Sequence, residues 1–270
     1  MKIKHLTVPT YLSPSKLPNS DYVINPYIGC SHGCKYCYAC FMKKFTGHTE
    51  PWGAFIDIKH CDQKINPKKI AGKNIFLSSV TDCYNHFEEE HQITRSILEQ
   101  LIPTTCHLSI CTKSKLILRD LDLLKQMSDL TVAMSVNTLD ENFKNDMDNA
   151  SSIADRLTTL KTLHQNGLKT VLFMSPIFPY ITDFKAIVEV SKNFIDEYWF
   201  ENLNLRGPYK KTILDYIKTN YPQHYPAYLT IYLHNDLSYW QSLSQEIEIY
   251  CTQNNIKYSN FFYHEQLVKK

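Results

Sequence analysis

The 270-residue sequence lacks any run of about 18 apolar residues, which excludes a membrane-spanning helix of ordinary length. Its first residues, Met1-Lys2-Ile3-Lys4-His5, have none of the apolar stretch of a secretory signal, so a cytoplasmic location with no membrane partner is expected. Charge of either sign is not in excess: 29 Lys and Arg face 27 Asp and Glu, a net charge of +2 that neither demands nor excludes a polyanionic partner. Pairs such as Lys43-Lys44 and Lys68-Lys69 are short and read as solvated surface. Low-complexity segments are absent, and with 43% hydrophobic residues the chain can bury a full core and suits one large α/β unit. Nine cysteines, an odd number without a secretory signal, favour reduced thiols and a metal site over a disulfide framework.

Three of those cysteines stand together in Cys30-Ser31-His32-Gly33-Cys34-Lys35-Tyr36-Cys37. Thiolates at these spacings can hold three corners of a cubane iron–sulfur cluster and leave the fourth iron open to a small molecule. In a shuffled chain with this many cysteines, the pattern should arise ~1 time in 100. A zinc knot is the competing reading, but no second Cys or His block lies at the matching distance. Cys40 extends the run and allows two roles, a fourth ligand that closes the site or a small apolar residue packed one turn further on.

The flanks carry more. Asn25-Pro26-Tyr27-Ile28-Gly29 ends the apolar run Tyr22-Val23-Ile24 and favours an extended strand end opening into a loop. Gly33 lets the backbone approach a sulfide where a side chain would collide. Tyr36 and Tyr38 bracket the last cysteine. With an aromatic residue just before the third cysteine, the stretch resembles the radical S-adenosylmethionine (SAM) enzymes, and Asn-Pro-Tyr-x-Gly-Cys-x-His-Gly-Cys-x-Tyr-Cys-Tyr-Ala is similar to their spore photoproduct lyase-like, DNA repair photolyase-like branch.

Strand-like and helix-like patterns alternate along the chain. Strands are expected at 22–24, 74–80, 107–111, 130–136, 169–174 and 198–205, and helices at 91–101, 116–127, 151–165 and 183–194. The pattern allows a doubly wound sheet. The resemblance implies a partial (β/α)6 TIM-like barrel of radical SAM type over residues 1–206, with residues 207–270 as an α/β extension packed on it in one structural unit. Either way, ligands gather at the carboxyl ends of the strands. The extension is rich in aromatics, from Tyr209, Tyr216, Tyr221, Tyr225, Tyr228, Tyr232, Tyr239 and Trp240 to Tyr250, Tyr258, Phe261, Phe262 and Tyr263. Aromatics can stack on bases, but the spacing of Ile231, Leu233, Leu237, Trp240, Leu243 and Ile247 suits a strand and then an amphipathic helix closing the barrel.

The strand ends carry polar blocks: Thr81-Asp82-Cys83-Tyr84, Thr112-Lys113-Ser114, Ser135 and Ser175. Thr94-Arg95, Arg119-Asp120 and a lysine like Lys59 also match the family over about residues 22–180, and Arg119-Asp120 and Arg95 read best as structural ion pairs. The resemblance implies a [4Fe-4S] cluster on Cys30, Cys34 and Cys37. It implies SAM bound near Tyr36, Asp82, Thr112, Lys113 and Ser135, and an external electron donor of flavodoxin or ferredoxin type. Reductive cleavage of SAM would then yield a 5′-deoxyadenosyl radical that abstracts hydrogen from a substrate, with a nucleic acid as one candidate. Cys83 and Tyr38 are the candidate hydrogen relay. Two departures weaken the likeness to the lyases: Cys83 follows the acidic residue where the family's donor cysteine precedes it, and Met147-Asp148 stands where relatives commonly show Glu-Pro. A radical SAM enzyme acting on a protein, peptide or small metabolite, and a non-catalytic metal-binding protein closed by Cys40, are the alternatives.

Overall fold

The structure is a computed structural model that describes residues 1–262; Tyr263 of the aromatic tract lies outside them. Its strands are β1 (Lys2–Thr7), β2 (Leu12–Pro14), β3 (Tyr22–Ile24), β4 (Tyr27–Gly29), β5 (Phe55–His60), β6 (Asn74–Leu77), β7 (His107–Thr112), β8 (Leu130–Ser135), β9 (Lys169–Ile177), β10 (Glu197–Asn202) and β11 (Tyr258–Asn260). Six of them, β3 and β6 to β10, are parallel neighbours with helical connections between them, forming a partial (β/α)6 barrel. β2 pairs antiparallel with β3 at one edge and β11 pairs parallel with β10 at the other. A second sheet, β1-β5-β4, carries the start of the cysteine loop. Among the described residues, no helix is long and apolar enough to cross a membrane.

These are the six strands the alternation predicts; β6, β8 and β10 end earlier than expected, while β7 runs on to Thr112 and β9 to Ile177, through Pro176. β6 stops at Leu77 because Ser78 turns to a φ of 79° and its hydroxyl accepts the Cys83 N–H at 2.8 Å. β10 stops at Asn202, next to a register shift against β9. The expected helix at 116–127 is a 3-10 segment, Lys115–Asp120, followed by a short helix, Leu121–Leu124. The expected strand near Ile231 is instead part of a helix, Tyr225–Leu233, in which Tyr228 and Ile231 are buried at helical spacing. The helix Ser238–Gln253 forms as expected and buries Trp240, Ile247 and Cys251. The remaining described aromatics of the tract mostly pack against the same core, so they are structural to a large degree.

Alternation along the strands separates two faces. Leu108, Ile110, Val132, Met134, Leu172, Met174, Tyr198 and Phe200 join the helices in one apolar core with Ile97, Leu124, Leu160 and Ile187. Their neighbours of opposite parity, Ser109, Cys111, Phe173, Ser175, Trp199 and Glu201, are only half-buried and face the barrel interior. The pairing keeps this parity in step across the sheet, with Cys111 beside Ala133 and Ser135 beside Phe173, which in turn is beside Trp199. All six residues of β8 are buried, as a central parallel strand covered on both faces requires.

Candidate active site

The three cysteines lie on the loop that follows β4, at the carboxyl ends of the barrel strands. Two backbone hydrogen bonds, Lys35 N–H to Met147 O at 2.9 Å and Asn149 N–H to His32 O at 2.8 Å, tie this loop to the segment after the helix Glu141–Met147. A third tie comes from Thr81, whose hydroxyl donates to Gly29 O at 2.6 Å. Lys59 donates its ammonium to Asn25 O at 2.9 Å and so braces the strand end, a structural role. Gly33 has a φ of +57°, and that conformation, not crowding at its own Cβ, is what requires glycine there.

Cys30 is buried and Cys34 and Cys37 are half-buried. Burial pushes all three thiols up, Cys34 to about 12, and Cys30 and Cys34 also feel the charge of neighbouring cysteines. Thiols held this way stay protonated in the free protein and release their protons to a metal. Among the described residues, no three His, Cys, Asp or Glu side chains converge on a point that would hold a single metal ion. A cluster instead spreads its thiolates over several irons. Beside Cys37, the indole Nε1 of Trp52 is buried without a hydrogen-bond partner. Clustered thiols with a spare buried donor beside them fit an iron–sulfur group. Cys40 lies half-buried in the 3-10 segment Tyr38–Phe45, where burial and then the Cys37 charge push its thiol up.

Asp82 organises the facing wall. It is buried, and it accepts hydrogen bonds from the Thr112 hydroxyl at 2.8 Å, the Lys113 N–H at 2.8 Å and the Tyr84 N–H at 2.9 Å. His32 of the cysteine loop approaches it at 3.3 Å. Burial alone would raise the Asp82 carboxyl, but the charge and hydrogen bond of His32, with the donors from Lys113 and Thr112, outweigh it and hold the carboxyl at about 2. Thr112 also accepts the Ser114 N–H at 3.0 Å, so its hydroxyl is engaged on both sides.

A second buried carboxylate lies under the loop. Asp148 accepts from Arg156 at 2.7 Å, from the Ala150 N–H at 3.0 Å and from the Tyr36 hydroxyl at 3.2 Å, with Lys144 at 3.6 Å. Burial works against its charge, but Arg156, Lys113 and Lys144 hold it below the usual carboxylate range. The Lys113 ammonium sits 5.5 Å from the centre of the Tyr36 ring. Arg156 also donates to the Ser135 carbonyl at 3.1 Å, which ties the end of β8 into the same network.

Tyr38 is 54% exposed, yet Glu201, Cys37, Cys111 and Lys113 surround it. An exposed ring with the charges of Glu201 and Lys113 near it lines a lumen. Its hydroxyl donates to Ser79 O, and the Ser175 hydroxyl donates to Glu201. Of the sequence-derived candidates, the structure brings Cys30, Cys34, Cys37, Tyr36, Tyr38, Asp82, Thr112, Lys113 and Ser135 to one mouth. Cys83 is the exception: it is fully buried in the apolar core shared with the helices, because its side chain takes the helix-facing side of the turn after β6. The thiol that faces the lumen is Cys111, half-buried and pushed up to about 12 by burial, with the Ser135 side chain near it. Cys111, His32, Asp148 and Glu201 were not among the sequence-derived candidates. As expected, Arg119 and Arg95 are structural: Arg119 pairs with Glu88 and Asp120 at 2.8 Å, and Arg95 with Asp120 at 2.9 Å and Asp122 at 2.7 Å.

Residues 24–190 match the model of the radical SAM superfamily. This chain belongs to the radical SAM superfamily. Membership implies SAM and an iron–sulfur cluster as the chemistry of the site. This radical SAM protein is 41% identical over 216 residues to the uncharacterized protein MJ0683 of Methanocaldococcus jannaschii, covering 79% of this chain and 82% of that one. It is 31% identical over 195 residues to the uncharacterized protein ORF301 of Acidianus two-tailed virus, with 63% and 64% covered. In fold it is similar to spore photoproduct lyase solved with dinucleoside spore photoproduct, with a TM-score of 0.59 at 19% identity over 82% of this chain and 66% of that chain. It is also similar to Streptococcus suis SuiB bound to SAM, with a TM-score of 0.58 at 16% identity over 88% and 49%. The chain therefore spans about two thirds of the length of the lyase and about half that of SuiB.

Proposed function

We propose that this radical SAM enzyme holds a [4Fe-4S] cluster on Cys30, Cys34 and Cys37 and leaves the fourth iron to SAM. The observation that carries the reading is the grouping of these three thiols at the open end of a lumen lined by Lys113, Cys111, Tyr38 and Glu201. When bound, cluster and SAM together supply a 5′-deoxyadenosyl radical that takes a hydrogen atom from an unactivated carbon. The chain's own residues do the rest. Lys113, Tyr36 and Ser135 line the side next to the cysteines and contact SAM. Asp82 and Thr112 spend their polar atoms on each other and on the Lys113 backbone, so they position that wall. Cys111, in place of Cys83, is the thiol able to return hydrogen: its S–H bond breaks homolytically, the hydrogen atom passes to the substrate carbon radical, and a thiyl radical remains beside Tyr38.

An external reductant of flavodoxin or ferredoxin type supplies the electron. The 3-10 segment that starts at the third cysteine exposes Phe41 and Phe45, with the Lys44 ammonium over both rings, and adds Lys43 with no acidic residue in its first turn. This face suits an acidic redox protein. For the substrate, the solved neighbours hold a dinucleoside photoproduct in one case and, in SuiB, the precursor peptide SuiA in the other. A nucleic-acid substrate predicts SAM cleavage stimulated by DNA or RNA; a peptide, protein or metabolite substrate predicts no such response.

The test of the reading is anaerobic reconstitution with iron and sulfide, electron paramagnetic resonance (EPR) of the reduced protein with and without SAM, and product analysis. A cubane signal that changes with SAM, with 5′-deoxyadenosine formed, supports it. Zinc in place of iron, or no response to SAM, refutes it.

A further inference from the structure

We propose that the Trp52 indole N–H donates a hydrogen bond to the Cys37 sulfur in the loaded enzyme and so sets the potential at which the cluster takes up an electron. The inference rests on the cluster assignment made above. The Trp52 Nε1 atom is shielded from solvent and makes no hydrogen bond among the described residues. Leaving a buried donor unmade costs about 1–3 kcal/mol, so such a group calls for an acceptor. Cys37 is the group beside it: the Trp52 side chain comes close enough to the Cys37 sulfur to favour its thiolate, alongside backbone donors and Lys113. A protonated thiol is a weak acceptor, whereas a metal-bound thiolate is a strong one. The partner that is missing in the thiol form is therefore supplied when Cys37 becomes a ligand.

The approach is rigid. Gly53, next to Trp52, runs so close to the cysteine loop that a Cβ there would lie 2.8 Å from the Gly33 Cα. The indole also stands edge-to-face on Phe55, at 5.7 Å and 85°. Two glycines in contact thus clamp the Trp52 segment onto the Cys30–Cys37 loop, and Phe55 fixes the ring. Hydrogen bonds to the sulfurs are among the factors that set the potential of an iron–sulfur cluster. Reduction adds negative charge, and a donor aimed at a ligand sulfur stabilises the reduced form. Removing it moves the midpoint to more negative potential.

Trp52→Phe keeps a ring against Phe55 and removes the N–H. In an EPR-monitored redox titration of the reconstituted proteins, the variant should hold as much iron as wild type, keep a SAM-responsive signal and show a more negative midpoint. At a reductant poise that half-reduces wild type, it should show less reduced cluster. An unchanged midpoint at equal iron content overturns the proposal. A measurement that needs no variant is pulsed EPR on wild type labelled with indole-15N tryptophan, in a chain with only three Trp. A 15N coupling to the reduced cluster is expected, and its absence also overturns the proposal. A wild type that forms no SAM-responsive cluster overturns the cluster assignment and the proposal together, an outcome distinct from a normal cluster whose potential ignores Trp52.

Discussion

Asp82→Asn tests whether one carboxylate holds the two walls of the site together. The carboxylate accepts from Thr112, Lys113 and Tyr84 and faces His32 on the cysteine loop. The amide keeps one acceptor oxygen, loses the charge opposite His32 and turns a donor toward N–H or O–H groups, leaving at least one buried donor unpaired. An unpaired buried donor costs about 1–3 kcal/mol, and loss of the charge removes a shift of roughly 2 pKa units, about 2–3 kcal/mol. The two overlap, so a destabilisation of about 3 kcal/mol is expected, or roughly 6–12 °C in the melting temperature of a chain this size. The pH dependence has a definite sign. The folded carboxyl is held down at about 2, below its unfolded value near ~3.9. Its contribution is therefore fully present above that value and fades as pH falls toward 2. Thermal unfolding of the metal-free protein at pH 7 and at pH 3 reads both effects: the gap between wild type and variant should narrow at the lower pH. A double-mutant cycle with His32→Asn should show coupling between the two residues. A variant within about 1 kcal/mol of wild type at pH 7, or a gap that widens on acidification, refutes the reasoning.

Cys30→Ala, Cys34→Ala and Cys37→Ala should each abolish the reconstituted cluster signal, while Cys40→Ala should leave iron content and the SAM response unchanged; loss of the cluster in Cys40→Ala would favour a closed, non-catalytic metal site. Cys111→Ala should keep SAM cleavage but stop or divert return of hydrogen to product, seen as altered products under deuterium labelling, whereas Cys83→Ala should cost about 1–2 kcal/mol of stability and leave product identity unchanged. Lys43→Glu with Lys44→Glu should slow reduction by a flavodoxin or ferredoxin and flatten its salt dependence, with reduction by dithionite unaltered.

The six barrel strands were legible because parallel strands covered on both faces read as short apolar runs, and Leu130 to Ser135 shows this most plainly with six buried positions. The cysteine loop was legible from spacing alone. Asp82 and Lys113 were found at strand ends, where the fold gathers ligands. The aromatic tract misled in one place: near Ile231 a few alternating apolar residues fit a strand template as well as a helix, and helical burial of Tyr228 and Ile231 decided the matter.

What escaped has a common cause, namely that it depends on which face a side chain takes. In His107-Leu108-Ser109-Ile110-Cys111-Thr112 the apolar residues occupy the even positions, so the alternation already sends Cys111 to the face away from the core. Cys83 is nearer to Asp82 in sequence, but the turn after β6 carries it into the core. Asp148 and Trp52 leave no comparable trace, since their importance comes from loops meeting across about 110 and 20 residues of chain: Met147 and Asn149 bond to the cysteine loop, and Gly53 closes on Gly33. Asp148 is therefore more than the place where a Glu-Pro pair is missing. It ties Tyr36 of the loop to Arg156 of the helix Ile153–Gln165, and Arg156 in turn holds the end of β8. Removing one partner of a buried pair of this kind costs about 3–5 kcal/mol, because the other charge is left uncompensated. A loop that must present three thiols with fixed spacing is thus anchored by Asp148, by Asp82 and by the Gly53 contact, and of these three anchors only Asp82 is marked in the sequence, by its place at a strand end.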